Sequence, residues 1–254
     1  VNIEAQFSEA YQEGIKSLKS GDALFAAKKF NEAETLFPQS NWAPKSAIMA
    51  GYSYYSQDYY LDAIAELDRF VRVYPYHEDL DYVYYLLGLS WYEQIVDEKK
   101  DLQTIIKAKE KFTFLINNYP NTEYALDAEF KIDLINDILA SKEMYVGRYY
   151  FEKKKWIPAI NRFRAVVDEY DSTIYIEEAL HRLVEIYYIL GLVEESKKYA
   201  NLLGYNYQSS EWYENTYSLF NNKYKKIKKN KISKDKKRKS SVLKKFKSLF
   251  EWDE

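Results

Sequence analysis

The sequence predicts an all-α chain built from repeated, antiparallel helix pairs. Three observations predict it: glycine (7) and proline (5) are scarce among 254 residues, the abundant residue types suit amphipathic helices, and the few glycines and prolines recur in one frame. Scarce turn formers argue against a loop-rich sandwich, whereas Leu, Ala, Lys and Glu fill helices well. A fixed spacing of chain-breaking residues marks an internal repeat.

The frame begins at Gly14, Gly51, Gly88 and Gly147. Pro38 and Pro75 each follow their glycine by 24 residues, Pro120 follows Gly88 by the same 24 plus an eight-residue insertion, and Asp171 takes the proline's place after Gly147. Twelve residues before each Pro position stands a small residue: Ala26, Ala63, Ala108, Ala159 and, in a fifth unit ahead of Gln208, Ser196. Four residues later come Phe30, Leu67, Phe112, Phe163 and Ala200. Each unit therefore reads as two helices, with the glycine where the first packs closest to its partner and the small residue where the second crosses it. This is the pattern of a tetratricopeptide-repeat superhelix of about five helix-turn-helix units.

Helix starts follow the same frame. Ser40, Thr122, Thr173 and Ser210 stand two residues after the Pro position, where an N-cap is expected, and His77 replaces them at the second junction. An aromatic follows each of the four caps two residues on: Trp42, Tyr124, Tyr175 and Trp212. Pro44 and Pro158 fall in first turns, where a missing N–H costs little. The five units span about residues 7 to 209, and Glu211 to about Asn222 reads as a capping helix.

Residues 96–103 read as a longer loop in the third unit. The fourth unit starts 14 residues early, close to four helical turns, so residues 122–153 are predicted to run as one helix without changing their buried face. The expected organisation is repeats 1–3 in residues 1–121, repeats 4–5 and the capping helix in residues 122–222, and a tail in residues 223–254, with the first two presenting separate surfaces.

The missing chemistry bounds the function. With no cysteine there are no disulfides, thiolate metal sites or cysteine nucleophiles. The two histidines, His77 and His181, lie more than a hundred positions apart, and no HExxH, phosphate loop or GxSxG occurs, so no enzyme, cofactor or metal is expected. No apolar run approaches the roughly 20 residues of a membrane span, and no charged-then-apolar leader opens the chain, so as written it reads as soluble. The net charge of -2 divides into -12 over residues 1–222, +13 over residues 223–250 and -3 over the last four.

The surface chemistry is more telling. Counting three before, one after and four after each frame glycine gives the positions that line a tetratricopeptide groove. They hold Tyr11, Ile15 and Leu18, then Ile48, Tyr52 and Tyr55, then Tyr85, Leu89 and Tyr92, joined by Tyr82. Tyrosine offers stacking area, a polar tip and few rotors, so this groove is expected to take an extended peptide with aromatic side chains. The same face of the fifth unit carries Glu178, His181, Glu185 and Tyr188, expected to dock a partner. In the tail, residues 223–239 are a polar basic run. Val242, Leu243, Phe246, Leu249 and Phe250 then recur at helical spacing beside lysines, as in an amphipathic segment that contacts a membrane surface or a neighbouring subunit. Nucleic-acid binding is not expected.

The stretch from Leu67-Asp-Arg-Phe-Val-Arg through Pro75 and His77 to Asp81-Tyr-Val-Tyr-Tyr and Gly88-Leu89 is more specific than a generic repeat. With Asn118-Tyr-Pro-Asn-Thr-Glu-Tyr-Ala-Leu-Asp-Ala and Met144-Tyr-Val-Gly-Arg-Tyr-Tyr, it resembles the BamD (ComL) family, periplasmic lipoproteins of the outer-membrane β-barrel assembly machinery. The resemblance covers about residues 10 to 220. It implies a non-catalytic scaffold at the periplasmic face of the outer membrane, held by an N-terminal lipid on a cysteine absent from this chain. It also implies that the N-terminal repeats recognise unfolded β-barrel proteins, while the C-terminal repeats dock on BamA among other assembly-machinery subunits. The competing reading is a soluble tetratricopeptide adaptor or co-chaperone that binds peptide C-termini. Such adaptors use a Lys, Asn and Arg carboxylate clamp where this groove offers tyrosines.

Overall fold

A computed structural model describes residues 3–95 and 102–221, which form eleven helices and, among the described residues, no strand. They run α1 (Ile3–Lys19), α2 (Ala23–Leu36), α3 (Ala43–Tyr55), α4 (Tyr60–Val73), α5 (Leu80–Tyr92), α6 (Leu102–Asn118), α7 (Glu123–Glu152), α8 (Trp156–Glu169), α9 (Ile176–Ile189), α10 (Val193–Asn206) and α11 (Glu211–Phe220). Two compact units result, Val1–Ile138 and Leu139–Glu254, and their boundary falls inside α7. No helix among the described residues is long and apolar enough to cross a membrane.

The glycine frame is the packing device of both units. A Cβ built on Gly14 would lie 2.9 Å from the Phe30 ring, on Gly51 2.6 Å from Leu67, on Gly88 2.5 Å from Phe112, and on Gly147 2.7 Å from Phe163. These four partners are fully buried, and each large side chain occupies the notch its glycine leaves in the facing helix. The fifth unit uses another device. Ser196, fully buried, donates to the Val184 carbonyl at 2.9 Å, and the close approach shifts to Gly204 against the Tyr213 ring of α11.

In four of the five helix pairs the turn stops the first helix alike. Gly21, Asp58, Lys154 and Gly191 adopt positive φ, each seven residues after the corresponding frame position. The next residue then donates back across the turn, as in Asp22 N–H to Ser17 C=O at 3.0 Å and Leu192 N–H to Tyr187 C=O at 2.9 Å. At the junctions between pairs, an aromatic C-cap ends each second helix: Phe37, Tyr74, Tyr170 and Tyr207. Its carbonyl accepts from the residue three positions on, Ser40, His77, Thr173 or Ser210, and Tyr119 and Thr122 repeat the bond.

Those last residues were expected to cap with their side chains, and the structure corrects part of that. Thr122 Oγ1 accepts from Ala125 N–H at 3.2 Å, Ser210 Oγ from Trp212 N–H at 3.1 Å, and His77 Nδ1 from Asp79 N–H at 3.2 Å. Thr173 instead donates to the Tyr170 carbonyl, and Ser40 Oγ is buried with no hydrogen-bond partner. The reason is that α3 and α9 begin later, after Trp42 and Tyr175, so Ser40 and Thr173 lie outside capping reach. The insertion is also shorter as a loop than expected, because Leu102 and Gln103 already belong to α6; residues 96–101 lie outside the described residues. The long helix expected over residues 122–153 is found as the 30 residues of α7.

Candidate functional site

In the first unit the frame brings the expected tyrosines together. Tyr11 packs edge-on to Phe30 with ring centres 5.3 Å apart and lies 6.0 Å from Trp42. Tyr82 and Tyr85 lie 5.3 and 5.2 Å from Tyr124 of α7, and both Tyr85 and Tyr92 lie 6.4 Å from buried Phe112. Tyr55 packs on Tyr60 at 5.9 Å, and Tyr52 stands exposed beside this row. Burial pushes the phenols of Tyr82 and Tyr85 well above their ordinary range, and Tyr85 is raised further by donating to Asp127 at 2.7 Å. Tyr11, Tyr55 and Tyr92 are raised by burial too. These are neutral, half-buried rings with polar tips, suited to stacking.

A cleft of about 500 Å³ opens at one end of the row. Tyr11, Ile48, Met49, Tyr82 and Tyr124 line it, together with Lys45, Glu78, Asp79 and Asp81. The expected set missed Tyr124. Its signal was present, since the aromatic two residues after a cap reaches back to the preceding repeat: Trp42 to Tyr11, Tyr124 to Tyr82, Trp212 to His181.

The corresponding face of the second unit is chemically different. Arg148 donates through Nε to Glu178 Oε1 at 2.9 Å, Arg182 reaches the same oxygen at 3.4 Å, and Arg182 Nη1 donates to Glu185 Oε2 at 2.6 Å. Burial opposes ionisation of Glu178, but the two arginines outweigh it and hold its carboxyl below the usual value. For Glu185, His181 and Arg182 outweigh burial in the same way. His181 is buried, its Nδ1 2.7 Å from Thr216 Oγ1 and its ring beneath Trp212 of α11. Of the four residues expected to face a partner, His181 and Glu178 are thus turned into contacts within the unit, because α11 and Arg148 occupy the space beside them. Glu185 is partly exposed, and Tyr188 is exposed, edge-on to Phe220. The tail residues Val242, Leu243, Phe246, Leu249 and Phe250 lie outside the described residues.

Two arginines acquire roles the sequence had not given them. Arg69, inside the stretch quoted above, reaches from α4 to α2, donating to Glu34 at 3.1 and 2.6 Å and to Glu66 at 2.9 Å, while Tyr74 donates to Glu34 at 2.7 Å. Beside it, Phe70 packs on Tyr74 and His77. The stretch is conspicuous because it locks consecutive repeats. Arg148 does the same from the second half of α7 to α9.

Successive helix pairs in one sequence frame, four of them locked by a glycine notch, with a single helix after the last, define a tetratricopeptide-repeat protein with an aromatic groove in its first unit. The chain belongs to the YfiO family of outer membrane lipoproteins, whose model matches residues 3–203. It is 41% identical over 221 residues to the outer membrane protein assembly factor BamD of Rickettsia prowazekii, covering 87% of this chain and 88% of that one. It is 40% identical over 211 residues to BamD of Caulobacter vibrioides, covering 83% and 69%. BamD of Neisseria meningitidis is 31% identical over 219 residues, covering 82% and 80%. The family places the protein at the outer membrane, on its periplasmic face, and its relatives are named as assembly factors, not as enzymes.

Proposed function

We propose that this protein is a non-catalytic scaffold of the β-barrel assembly machinery. Its first unit binds unfolded outer-membrane β-barrel proteins through their aromatic side chains, and its second docks on BamA. The observation that carries the first role is the row of half-buried tyrosines, Tyr82 and Tyr85 against Tyr124, of which Tyr82 and Tyr124 line a cleft together with Tyr11. An extended peptide laid along the row presents alternate side chains to it, and desolvated aromatic pockets are where binding energy concentrates. The relatives' names support the reading through the process they specify, outer membrane protein assembly.

The second role rests on the resemblance and on the exposed edge of the last repeat. Tyr188 with Phe220, bordered by the Glu185–Arg182 pair, offers an apolar contact rimmed by fixed charge. Glu178 and His181 support that edge from beneath.

The test is binding of a fluorescent peptide from the C-terminal strand of a β-barrel protein. Replacing Tyr52, Tyr55 and Tyr85 together by Ala is expected to weaken binding by about 2–4 kcal/mol. Helical circular dichroism verifies that the variant stays folded. Unchanged affinity in the folded variant removes the site from this groove. Tyr188→Ala is expected to leave peptide binding intact and to weaken capture of BamA.

A further inference from the structure

The cleft in the first unit is lined by three tyrosines and three carboxylates. Glu78, Asp79 and Asp81 come from the α4–α5 turn and the first turn of α5, whereas Lys45 is the one cation that lines the cleft among the described residues. Lys45 is already engaged, its ammonium 5.3 Å from the centre of the Trp42 ring. Asp79 faces His77 at 3.6 Å, and Asp81 accepts from the Tyr82 N–H at 2.7 Å. Glu78 is exposed and has no ion pair among the described residues. Further along the groove, Asp127 accepts from Tyr85, and Lys131 lies over Tyr92.

A free carboxylate seated beside three acidic side chains is repelled, while a guanidinium or ammonium there is attracted by all three and stacks on the tyrosine faces as well. We propose that the cleft is selective for an aromatic side chain with a basic residue beside it, and that it reads these side chains and not the terminal carboxylate of its peptide. The proposal rests on the peptide-binding reading of the groove and adds the charge class of its ligand. Tyr82 and Tyr124 hold the aromatic ring, and Glu78 and Asp81 meet the basic group. Electrostatic complementarity of this kind sets preference among similar ligands more than total affinity.

The experiment uses the full chain and fluorescence anisotropy with short peptides ending Tyr-X-Phe, where X is Lys, Ala or Glu, each as free acid and as C-terminal amide. Affinity is expected to fall from Lys to Ala to Glu by about three- to tenfold per step, with the steps shrinking at high salt. The amides are expected to bind at least as tightly as the acids. Glu78→Lys, at an exposed position, is expected to compress the order, and Glu78→Lys with Asp81→Lys to reverse it. Equal affinity for all three peptides, or tighter binding of the free acids, overturns the proposal. If the tyrosine triple variant still abolishes binding in that case, the groove reading stands without it. Failure of every peptide to bind overturns both.

Discussion

The two units answer the same frame positions with different chemistry. Where the first unit places tyrosines that leave a cleft between them, the last repeat of the second places Glu178, His181 and Glu185, which the unit itself consumes through Arg148, Arg182 and Thr216. The left-handed turn seven residues after the frame position recurs in both, although the last repeat replaces the glycine notch by the Ser196–Val184 contact. A repeat position therefore fixes where a side chain points. Whether it becomes a binding surface depends on whether a neighbouring helix or ion already occupies that space.

The comparison is broken most severely at its shared element. Phe112→Ala in the first unit and Phe163→Ala in the second remove equally buried rings from equivalent notches, so each is expected to cost roughly 3–5 kcal/mol in urea denaturation. A cost below about 1 kcal/mol at either position would mean that its notch collapses without loss, and the two units would not share one packing device.

Changing pH should act on the Glu178–Glu185 cluster and on the groove tyrosines in opposite directions. Glu178 and Glu185 have folded values below their ordinary 4.5, so the stability they contribute is present above that pH and is lost as pH falls through the lower folded values. The groove tyrosines are raised above their ordinary 10.0. Their contribution is complete below pH 10 and is lost as pH rises through the raised folded values. Thermal melts of Glu178→Gln should show a flattened acid limb and those of Tyr85→Phe a flattened alkaline limb. A change confined to the opposite limb in either variant contradicts the assignment.

The smallest expected difference sharpens the comparison at the helix starts. Ser210→Ala removes a side-chain cap in the second unit and should cost about 1 kcal/mol. Ser40→Ala, at the same frame position in the first unit, removes a hydroxyl that makes no hydrogen bond and should fall within roughly ±0.5 kcal/mol. Equal losses in chemical denaturation would show that Ser40 caps after all.

Sequence alone determined the parts of this protein that depend on spacing along one chain. The notches at Gly14, Gly51, Gly88 and Gly147, the long α7 and the groove positions of Tyr82 and Tyr85 all follow from helical periodicity, because 3.6 residues per turn converts spacing into direction. Tertiary structure decided what depends on a partner distant in sequence. Only the folded chain shows that Arg69 meets Glu34, that Arg148 meets Glu178, that α11 covers His181 and that Ser40 falls short of its helix. The physical reason is that periodicity sets the face a residue occupies, whereas an ion pair or a hydrogen bond depends on distances of a few ångströms between two faces, which packing alone fixes.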